Sequence, residues 1–258
     1  MTKLEEYTFL ADLVACDTLD KIRAPLVGYL ERRFDAQTVT ILQFWKDAAP
    51  DFLISHIPDA ELRTFYLTTY AKIGYILDPF FISAFGNEEY AACKLRDVAP
   101  DRFETSEYFH QYYAETGLVD ELGAIIRVSQ NVVLHLSLGR KRERGRFRAQ
   151  EQQYFELLAP VIMRKLKALK KSAPGPREMR SGPDLAERYQ HLSKHAGRPL
   201  SRREAEIAAL IVQGHSSRAV GLRLKISDQT VKVHRRNIYK KLKISSQNEL
   251  FSLLINDL

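Results

Sequence analysis

The sequence predicts an α+β N-terminal domain, with an antiparallel sheet flanked by helices, followed by an all-α domain of four helices. Three observations support this division. Residues 1–171 mix helical periodicity with short β-branched and aromatic runs. Residues 172–183 contain three prolines and two glycines, which indicates a linker that we expect to reach residue 195 and to end in a short helix over residues 185–195. Residues 196–258 hold four short amphipathic segments with helix-capping residues.

The elements of the N-terminal domain follow from local patterns. Helices are predicted over residues 4–14, 20–32, 60–73, 107–116 and 149–170. Strands are predicted over residues 38–45, 51–56 and 91–95, and a hairpin joins residues 123–128 to 132–138. Residues 139–148, with six basic side chains, are expected to form a solvated loop. This layout resembles that of PAS- and GAF-type sensor modules, an analogy of fold that does not fix function.

The C-terminal helices begin at residues that cap helices. Four serines each precede a predicted helix, namely Ser201, Ser216, Ser227 and Ser246. Glu204 and Glu249 stand three residues after two of them, which is the spacing of a capping box. A tight turn at Lys225-Ile226 separates the second and third helices. Four short helices with such a turn describe a helix-turn-helix domain.

The third of these helices has two distinct faces. Val231, Ile238 and Leu242 recur at helical spacing on one face. Lys232, Arg236 and Lys240 form a basic stripe on another face. A basic stripe is often only a solvated surface. A short helix with one apolar and one basic face also fits the DNA major groove, so we interpret it as a recognition helix.

The positive charge of the chain lies in this C-terminal part. The formal net charge is +7, and residues 198–258 hold twelve Lys or Arg against five Asp or Glu. The first 197 residues hold 27 of each sign, which cancel. A charge excess confined to the proposed DNA-binding part favours a polyanionic partner, here double-stranded DNA.

Residues 200–254 resemble the LuxR-type (GerE-type) helix-turn-helix of bacterial transcription regulators. The matching positions are Leu200-Ser201, Arg203-Glu204, Glu206, Gly214, Ser216, Ile226-Ser227, Thr230 to His234, Asn237-Ile238, Lys241-Leu242 and Glu249-Leu250. The chain departs from the family pattern at Ala219, where an acidic residue is usual, and at Lys225, where glycine is frequent. The first departure is expected to remove one ion pair within the domain.

The resemblance implies a set of DNA contacts. Lys232, Val233 and Arg236 match positions that read base edges, and Thr230, Arg235 and Lys240 match positions near phosphates. Ser216 is predicted as a further contact. The final helix matches the helix by which two such domains pair, so a homodimer on DNA is implied.

The N-terminal domain also resembles the sensors of regulators that bind acyl-homoserine lactones. Those sensors carry spaced Trp and Tyr residues ahead of an Asp-Pro pair, and here the corresponding residues are Tyr66, Tyr70, Tyr75, Asp78 and Pro79. The expected tryptophan is missing, since the only Trp in the chain is Trp45. We predict a small-molecule site of Tyr66, Tyr70, Asp78 and Trp45. The alternative is that Asp78 caps a helix and the tyrosines belong to the core with their hydroxyls at the surface, and the sequence leaves both open.

Other classes of function have less support. No hydrolase, P-loop or metalloprotease motif is present, so we expect neither an enzyme nor a cofactor. A phosphorylated receiver domain is not expected, because no acidic pair follows a first strand. His191 and His195 are four residues apart but lack a third ligand nearby, so no metal is expected. No apolar run spans a membrane, and we expect a cytoplasmic protein.

The sequence therefore predicts a bacterial DNA-binding transcription regulator, dimeric on DNA and controlled by a small ligand in its N-terminal domain. One alternative is a ligand-independent regulator or a protein-interaction adaptor whose N-terminal domain binds a partner protein. A further alternative, an enzyme fused to a DNA-binding domain, requires a polar pocket in the sensor.

Overall fold

The computed structural model describes residues 2–46, 48–86, 88–106, 109, 110, 113, 116–171 and 184–255. The chain begins with α1 (Lys3–Ala15) and α2 (Leu19–Phe34). Thr2 and Thr18 accept hydrogen bonds from backbone N–H groups of the first turns, which fixes where both helices start. Both predicted helices are confirmed.

A five-stranded antiparallel sheet forms the centre of the N-terminal domain. Its strands are β1 (Thr38–Trp45), β2 (Ala48–His56), β3 (Tyr90–Lys94), β4 (Leu118–Ser129) and β5 (Val132–Lys141). The strand order is β2-β1-β5-β4-β3, and each neighbouring pair is antiparallel. The predicted hairpin is β4–β5, with register pairs from Leu118↔Lys141 to Ser129↔Val132. The antiparallel α+β fold is therefore confirmed.

One face of the sheet packs against α1, α2 and the long helix α7 (Ala149–Lys171). Alternate strand residues such as Ile41 in β1 and Leu136 in β5 supply this core. From the helices come buried residues including Ile22, Leu26 and Ile162. The alternating apolar residues that predicted the strands thus pack against the helices in a layer about 10 Å thick.

The other face of the sheet is covered by a broken helical layer. It consists of α3 (Ala60–Phe65), a π-helix over Tyr66–Gly74, the short α4 (Tyr75–Leu77) and α5 (Pro79–Ala84). After β3 comes α6 (Leu95–Val98). The predicted helix over 60–73 exists, but the π-helix within it was not predicted. Of the predicted helix 107–116, residues 109, 110, 113 and 116 are described, and all four are helical.

The expectation of a solvated basic loop over residues 139–148 is wrong. Arg140 and Lys141 belong to β5, and Arg140 is buried. The Arg140 guanidinium donates to the Phe34 carbonyl and forms an ion pair of 2.5 Å with Glu151. Its Cζ also lies 4.2 Å from the centroid of the Phe147 ring. A charged side chain is buried here because each of its polar groups finds a partner.

The C-terminal region is helical, with α8 (Leu185–His195), α9 (Arg202–Val212), α10 (Ser217–Leu224), α11 (Asp228–Leu242) and α12 (Gln247–Ile255). The four predicted helices are confirmed as α9 to α12. The short helix expected over residues 185–195 is α8, which packs on α9 and α12. The buried Tyr189 hydroxyl donates to the Leu250 carbonyl at 2.9 Å. The proline-rich segment 172–183 lies outside the described residues.

Within the described ranges, no helix has the length and apolar character needed to cross a lipid bilayer.

Candidate functional site

One face of α11 is packed into the core of the C-terminal domain. The Ser227 side chain accepts from the Thr230 N–H at 2.9 Å, which caps the start of the helix. Val231 and Ile238 are fully buried against the neighbouring helices. Lys241 donates to Glu204 of α9 across 2.7 Å. Burial would raise the pKa of Glu204, but the bonds from Lys241 and Ser201 outweigh it and lower that pKa.

The opposite face of α11 presents the predicted base-reading residues to solvent. Lys232, Val233 and Arg236 are all exposed, and Val233 exposes 40% of its surface. Lys240 lies on the same side and is also exposed. The ion pair of Lys232 with Asp228, at 3.3 Å, is itself exposed, and such pairs contribute only about 0.2–1 kcal/mol. Nothing in this arrangement prevents Lys232 from reorienting toward DNA.

The three residues predicted to contact phosphates differ in their exposure to solvent. Arg235 is half-buried, and its Nε donates to the Tyr239 hydroxyl at 3.0 Å. Its guanidinium Cζ lies 5.2 Å from the Tyr239 ring centroid, so this side chain is held along the helix. Thr230 is exposed, with its hydroxyl 2.7 Å from the Ser227 hydroxyl. Thr230 and Lys240 are therefore more accessible to a phosphate than Arg235.

The turn before α11 has an unusual backbone for its sequence. Lys225 ends α10 in the left-handed conformation, with φ 55° and ψ 44°. Glycine adopts this conformation without strain, whereas other L-residues do so at a cost of roughly 1–2 kcal/mol. The departure from the family pattern at this position therefore keeps the turn but strains it. Gly221 is needed nearby, because a Cβ there would lie 2.7 Å from the Ile226 carbonyl oxygen.

The N-terminal domain contacts the turn between α9 and α10. The Ser216 N–H donates to the Asp101 carboxylate at 3.1 Å, and the Arg102 N–H donates to the Gly214 carbonyl at 3.1 Å. Gly214 has φ 96°, and a Cβ there would lie 3.1 Å from the Phe103 Cα. The predicted DNA contact Ser216 is thus already bonded to a carboxylate of the sensor.

The apolar face of α12, predicted to pair two domains, is used within the domain. Leu250 and Leu254 are fully buried, and α12 packs against α8 and α9. Leu253 is half-buried. The buried leucines are consequently not available to a second copy in this arrangement.

In the sensor, the structure brings together three of the four predicted ligand residues. The Tyr70 hydroxyl donates to Asp78 at 2.6 Å, and the Tyr66 and Tyr70 ring centroids lie 5.3 Å apart. Asp78 also accepts from the Phe80 N–H at 2.8 Å, so it caps α5. Asp78 is thus a helix cap and the tyrosines are core residues, as the alternative expected, but the Tyr70 hydroxyl is buried on Asp78 and not at the surface. The small-molecule site stays a prediction. Both carboxylate oxygens of Asp78 nevertheless lie inside a buried polar cluster.

Trp45 lies apart from this cluster, contrary to expectation. Side chains alternate along β1, so Phe44 faces the cluster while Trp45 is directed to the opposite side. The Trp45 indole N–H donates to Asp51 of β2 at 3.0 Å. The aromatic residue that β1 contributes to this face of the sheet is Phe44.

Sequence reasoning missed three polar residues of the same cluster. Glu121 in β4 accepts from the Ser137 hydroxyl at 2.5 Å and from the Tyr113 hydroxyl at 3.2 Å. His135 in β5 is 1% exposed and lies on the same sheet face as Ser137. A usable signal was present, because a charged or imidazole side chain at an inward position of an apolar strand is rare.

Burial controls the protonation of these groups. It raises the pKa of Asp78, despite the opposing hydrogen bonds from Tyr70 and Phe80. Burial, together with the nearby Asp78 carboxyl, raises the pKa of Glu121. Burial lowers the pKa of His135 to about 3, so the imidazole is neutral at physiological pH. The cluster therefore contains carboxyl groups that retain protons more readily than usual.

His191 and His195 lie together on α8, with their Nε2 atoms 3.1 Å apart. In the part of the chain that the structure describes, no three His, Cys, Asp or Glu side chains are grouped to hold a metal.

Comparison with known proteins agrees with this geometry. Residues 198–254 match the GerE family, described as bacterial regulatory proteins of the luxR family. A putative HTH-type transcriptional regulator in the exeN 3′ region of Aeromonas salmonicida is 31% identical over 174 residues, covering 64% of this chain and 86% of that protein. The monoamine regulon transcriptional regulator of Klebsiella aerogenes is 25% identical over 178 residues, covering 68% of this chain and 66% of that protein.

The N-terminal fold also has a counterpart among solved structures. The crystal structure of the VqsR LBD domain from Pseudomonas aeruginosa has a TM-score of 0.56 and 24% identity, covering 66% of this chain and 98% of that chain. At this identity the likeness establishes the fold alone. The family is shown by the C-terminal match and by the relative from Aeromonas salmonicida. The chain belongs to the luxR family of bacterial regulatory proteins, which are DNA-binding transcription regulators.

Proposed function

We propose that this regulator binds operator DNA as a homodimer, with α11 of each copy in the major groove, and that a small ligand in the sensor domain controls this binding. The exposed basic face of α11 carries the DNA-binding part of the proposal. Dimeric helix-turn-helix proteins read half-sites about one helical turn, or roughly 34 Å, apart.

The residue types on α11 suit both parts of DNA recognition. Lys232 and Arg236 can donate to guanine O6 and N7, and Val233 can contact a thymine methyl group. Lys240, one turn further along, adds charge for the phosphates. Base choice then comes from few residues, whereas most of the affinity comes from phosphate neutralisation and depends on salt.

The surface that we propose for dimerisation lies on the sensor domain. Five large apolar side chains of α1 and α7 are exposed, namely Leu4, Tyr7, Val14, Leu157 and Val161. The two helices adjoin, because Lys165 donates to the Val14 carbonyl at 2.8 Å. Exposed apolar clusters of this kind are typical of protein interfaces. We expect Leu157→Glu to give a monomer in analytical ultracentrifugation, and an unchanged dimer would reject this surface.

Communication between the domains is proposed to run through Asp101. The N–H of Ser216, at the start of α10, is a group that a DNA phosphate would use. A carboxylate on that N–H competes with the phosphate and repels it. The docked arrangement is therefore proposed as the state with weak DNA binding, and undocking as the event that a ligand promotes.

The ligand site is proposed at the buried cluster around Asp78. It offers carboxyl and hydroxyl groups under an aromatic layer, the composition of a small-molecule site. The cluster connects to the docking segment through aromatic contacts, since the Tyr113 and Phe103 ring centroids lie 6.2 Å apart. A ligand that displaces Tyr113 would then act on the segment that holds Ser216.

The experiment that tests the proposal selects genomic DNA fragments with the full chain and measures binding by fluorescence anisotropy. We expect a selected palindromic site to bind about 10³-fold or more tightly than random DNA at physiological salt. The variant Lys232→Ala/Arg236→Ala is expected to bind all sequences alike. If the chain binds no DNA even at low salt, the adaptor alternative takes the place of this proposal.

A further inference from the structure

Two buried carboxyl groups lie close enough in the sensor core to affect each other's ionisation. Asp78 precedes α5 and is 8% exposed, and Glu121 lies in β4 and is 6% exposed. Their partners are neutral donors only: the hydroxyls of Tyr70, Ser137 and Tyr113, and the Phe80 N–H. Among the described residues, neither carboxyl forms an ion pair.

This arrangement differs from other buried acidic residues of the chain. Glu151 lies 2.5 Å from the Arg140 guanidinium, and Glu204 lies 2.7 Å from the Lys241 ammonium. An ionised carboxylate without a counter-charge is unfavourable in a low-dielectric interior. The Asp78–Glu121 pair thus lacks the positive group that the fold supplies elsewhere.

A further polar side chain of the cluster, His135, has no hydrogen-bond partner among the described residues. His135 is stacked between two phenylalanines, with ring centroids 5.1 Å from Phe44 and 4.7 Å from Phe80. Neither imidazole nitrogen has a hydrogen-bond partner among the described residues. A buried nitrogen without a hydrogen-bond partner is unfavourable. His135 lies two residues before Ser137, the donor to Glu121, so the unused nitrogens belong to the same layer.

A cavity of about 370 Å³ adjoins the cluster on the same face of the sheet. Gly123 and Ile125, which follow Glu121 on that face of β4, line the cavity together with Phe80. A Cβ on Gly123 would lie 2.3 Å from the Phe80 ring, so this ring rests directly on the strand. Phe80 therefore borders both the cavity and the Asp78 carboxyl. The remaining walls are mainly apolar, with Ala91, Cys93 and Val98 among them.

We propose that the sensor's ligand is a protonated amine with an apolar body, whose ammonium group lies between Asp78 and Glu121 and whose body occupies the adjoining cavity. This inference rests on the proposed ligand control of the regulator. The ammonium supplies the missing counter-charge. The Phe80 ring lies over Gly123, two residues from Glu121 on β4, and aromatic faces attract cations.

Binding of the ammonium is coupled to loss of a proton. In the free sensor the pair retains a proton, because burial raises the pKa of both carboxyl groups and Asp78 further raises that of Glu121. A bound cation favours the doubly ionised pair and releases this proton. Amine affinity should consequently rise as pH increases from about 6 to about 8. The titratable groups that contact the pair are Tyr70 and Tyr113, with Asp120 beside Glu121 on the strand.

The test compares 2-phenylethylamine with 2-phenylethanol, which differ only in the charged group, and it adds a second amine and a lactone. Thermal unfolding of the full chain is followed with 2-phenylethylamine, hexylamine, 2-phenylethanol and N-hexanoyl-homoserine lactone. Both amines are expected to raise the unfolding temperature in a saturable manner, and the alcohol is expected to have no effect. In Glu121→Gln, which keeps the shape and the hydroxyl contacts, amine binding should weaken about 10- to 100-fold. Glu143→Gln removes the same charge from an exposed position outside both the cluster and the cavity, and it serves as the control.

The outcomes separate this inference from the proposed function. Stabilisation by the lactone but by neither amine would overturn the amine assignment and leave ligand control in place. Equal stabilisation by amine and alcohol, or by none of the four probes, would also overturn it. An amine affinity that falls from pH 6 to pH 8 would reject the coupling to the carboxyl pair, and this measurement requires no variant.

Discussion

The carboxylate of Asp101 accepts the backbone N–H of Ser216 across 3.1 Å, which joins the sensor to the first residue of the helix-turn-helix. Burial alone would raise the pKa of Asp101, but the hydrogen bonds from Ser216 outweigh it and hold that pKa below its usual range. The contact is therefore made by an ionised carboxylate at neutral pH. This negative charge at the N-terminus of α10 occupies the position that we propose for a DNA phosphate.

Asp101→Ala should increase DNA affinity in the absence of ligand. Loss of a charge-assisted hydrogen bond of roughly 1–2 kcal/mol favours the undocked arrangement by about 5- to 30-fold. Fluorescence anisotropy with the selected operator measures this change. Glu104→Ala is the control, since Glu104 carries the same charge nearby but pairs with Arg146 of the sensor at 3.7 Å. Equal gains in both variants would indicate a general effect of charge and reject the competition at Ser216.

Lys232→Ala should weaken binding to the specific site by about 1–3 kcal/mol and relax base preference at one position of each half-site. The reason is that Lys232 is exposed on the face of α11 that we place against base edges. Binding is measured on the operator and on variants with each base exchanged. A uniform loss across all sequences would assign Lys232 to the phosphates instead.

Lys240→Ala should lower the affinity for DNA without changing the preference among bases. A phosphate contact carries no sequence information, so affinity falls on every DNA while the preference among bases is kept. The slope of log K against log salt should become shallower by about one unit. Titrations at four salt concentrations measure this slope. A changed base preference in this variant would contradict the assignment.

The DNA-binding domain was predictable because its signals are local. Ser201 and Ser227 cap the helices that the sequence predicted, and Val231 and Ile238 lie in the core. The exposed positions of α11 follow from the same periodicity. The sheet was likewise predicted through the β4–β5 hairpin, whose two strands are adjacent in sequence.

Long-range pairings explain what the sequence did not predict. Arg140 reads as part of a charged loop because its partners, Phe34 and Glu151, are distant in sequence. The Asp101–Ser216 contact joins residues 115 positions apart, and no local pattern marks it. In the sensor site, Asp78 was predicted but Glu121 was not, since only the sheet register brings β4 beneath α5.

Lys225→Gly should stabilise the folded chain by about 0.5–1 kcal/mol. Lys225 has φ 55°, and glycine relieves the steric strain of the left-handed conformation, although the added freedom of the unfolded chain offsets part of this gain. Urea unfolding followed by circular dichroism measures the change. Lys243→Gly, at φ 56° after α11, should behave alike, whereas Lys240→Gly within the helix should destabilise by about 1 kcal/mol. Destabilisation at both left-handed positions would contradict this account of the turn.

The free energy of unfolding should fall as pH rises from about 7 to about 8.5, because of Glu121. Burial, with Asp78 nearby, raises the pKa of Glu121 from 4.5 to about 8, so the folded chain binds more protons than the unfolded chain in this range. By linkage, such a group contributes stability at low pH that is lost as pH approaches the folded value. Burial lowers the pKa of His135 to about 3, so His135 affects the free energy of unfolding only below pH 6.5, the pKa of the unfolded state. Burial raises the pKa of Cys93 to about 12, so Cys93 affects the free energy of unfolding only above pH 9.0. Chemical unfolding at the two pH values measures the fall, which Glu121→Gln should remove and Glu88→Gln should retain. An equal fall in both variants would show that another group titrates in this window.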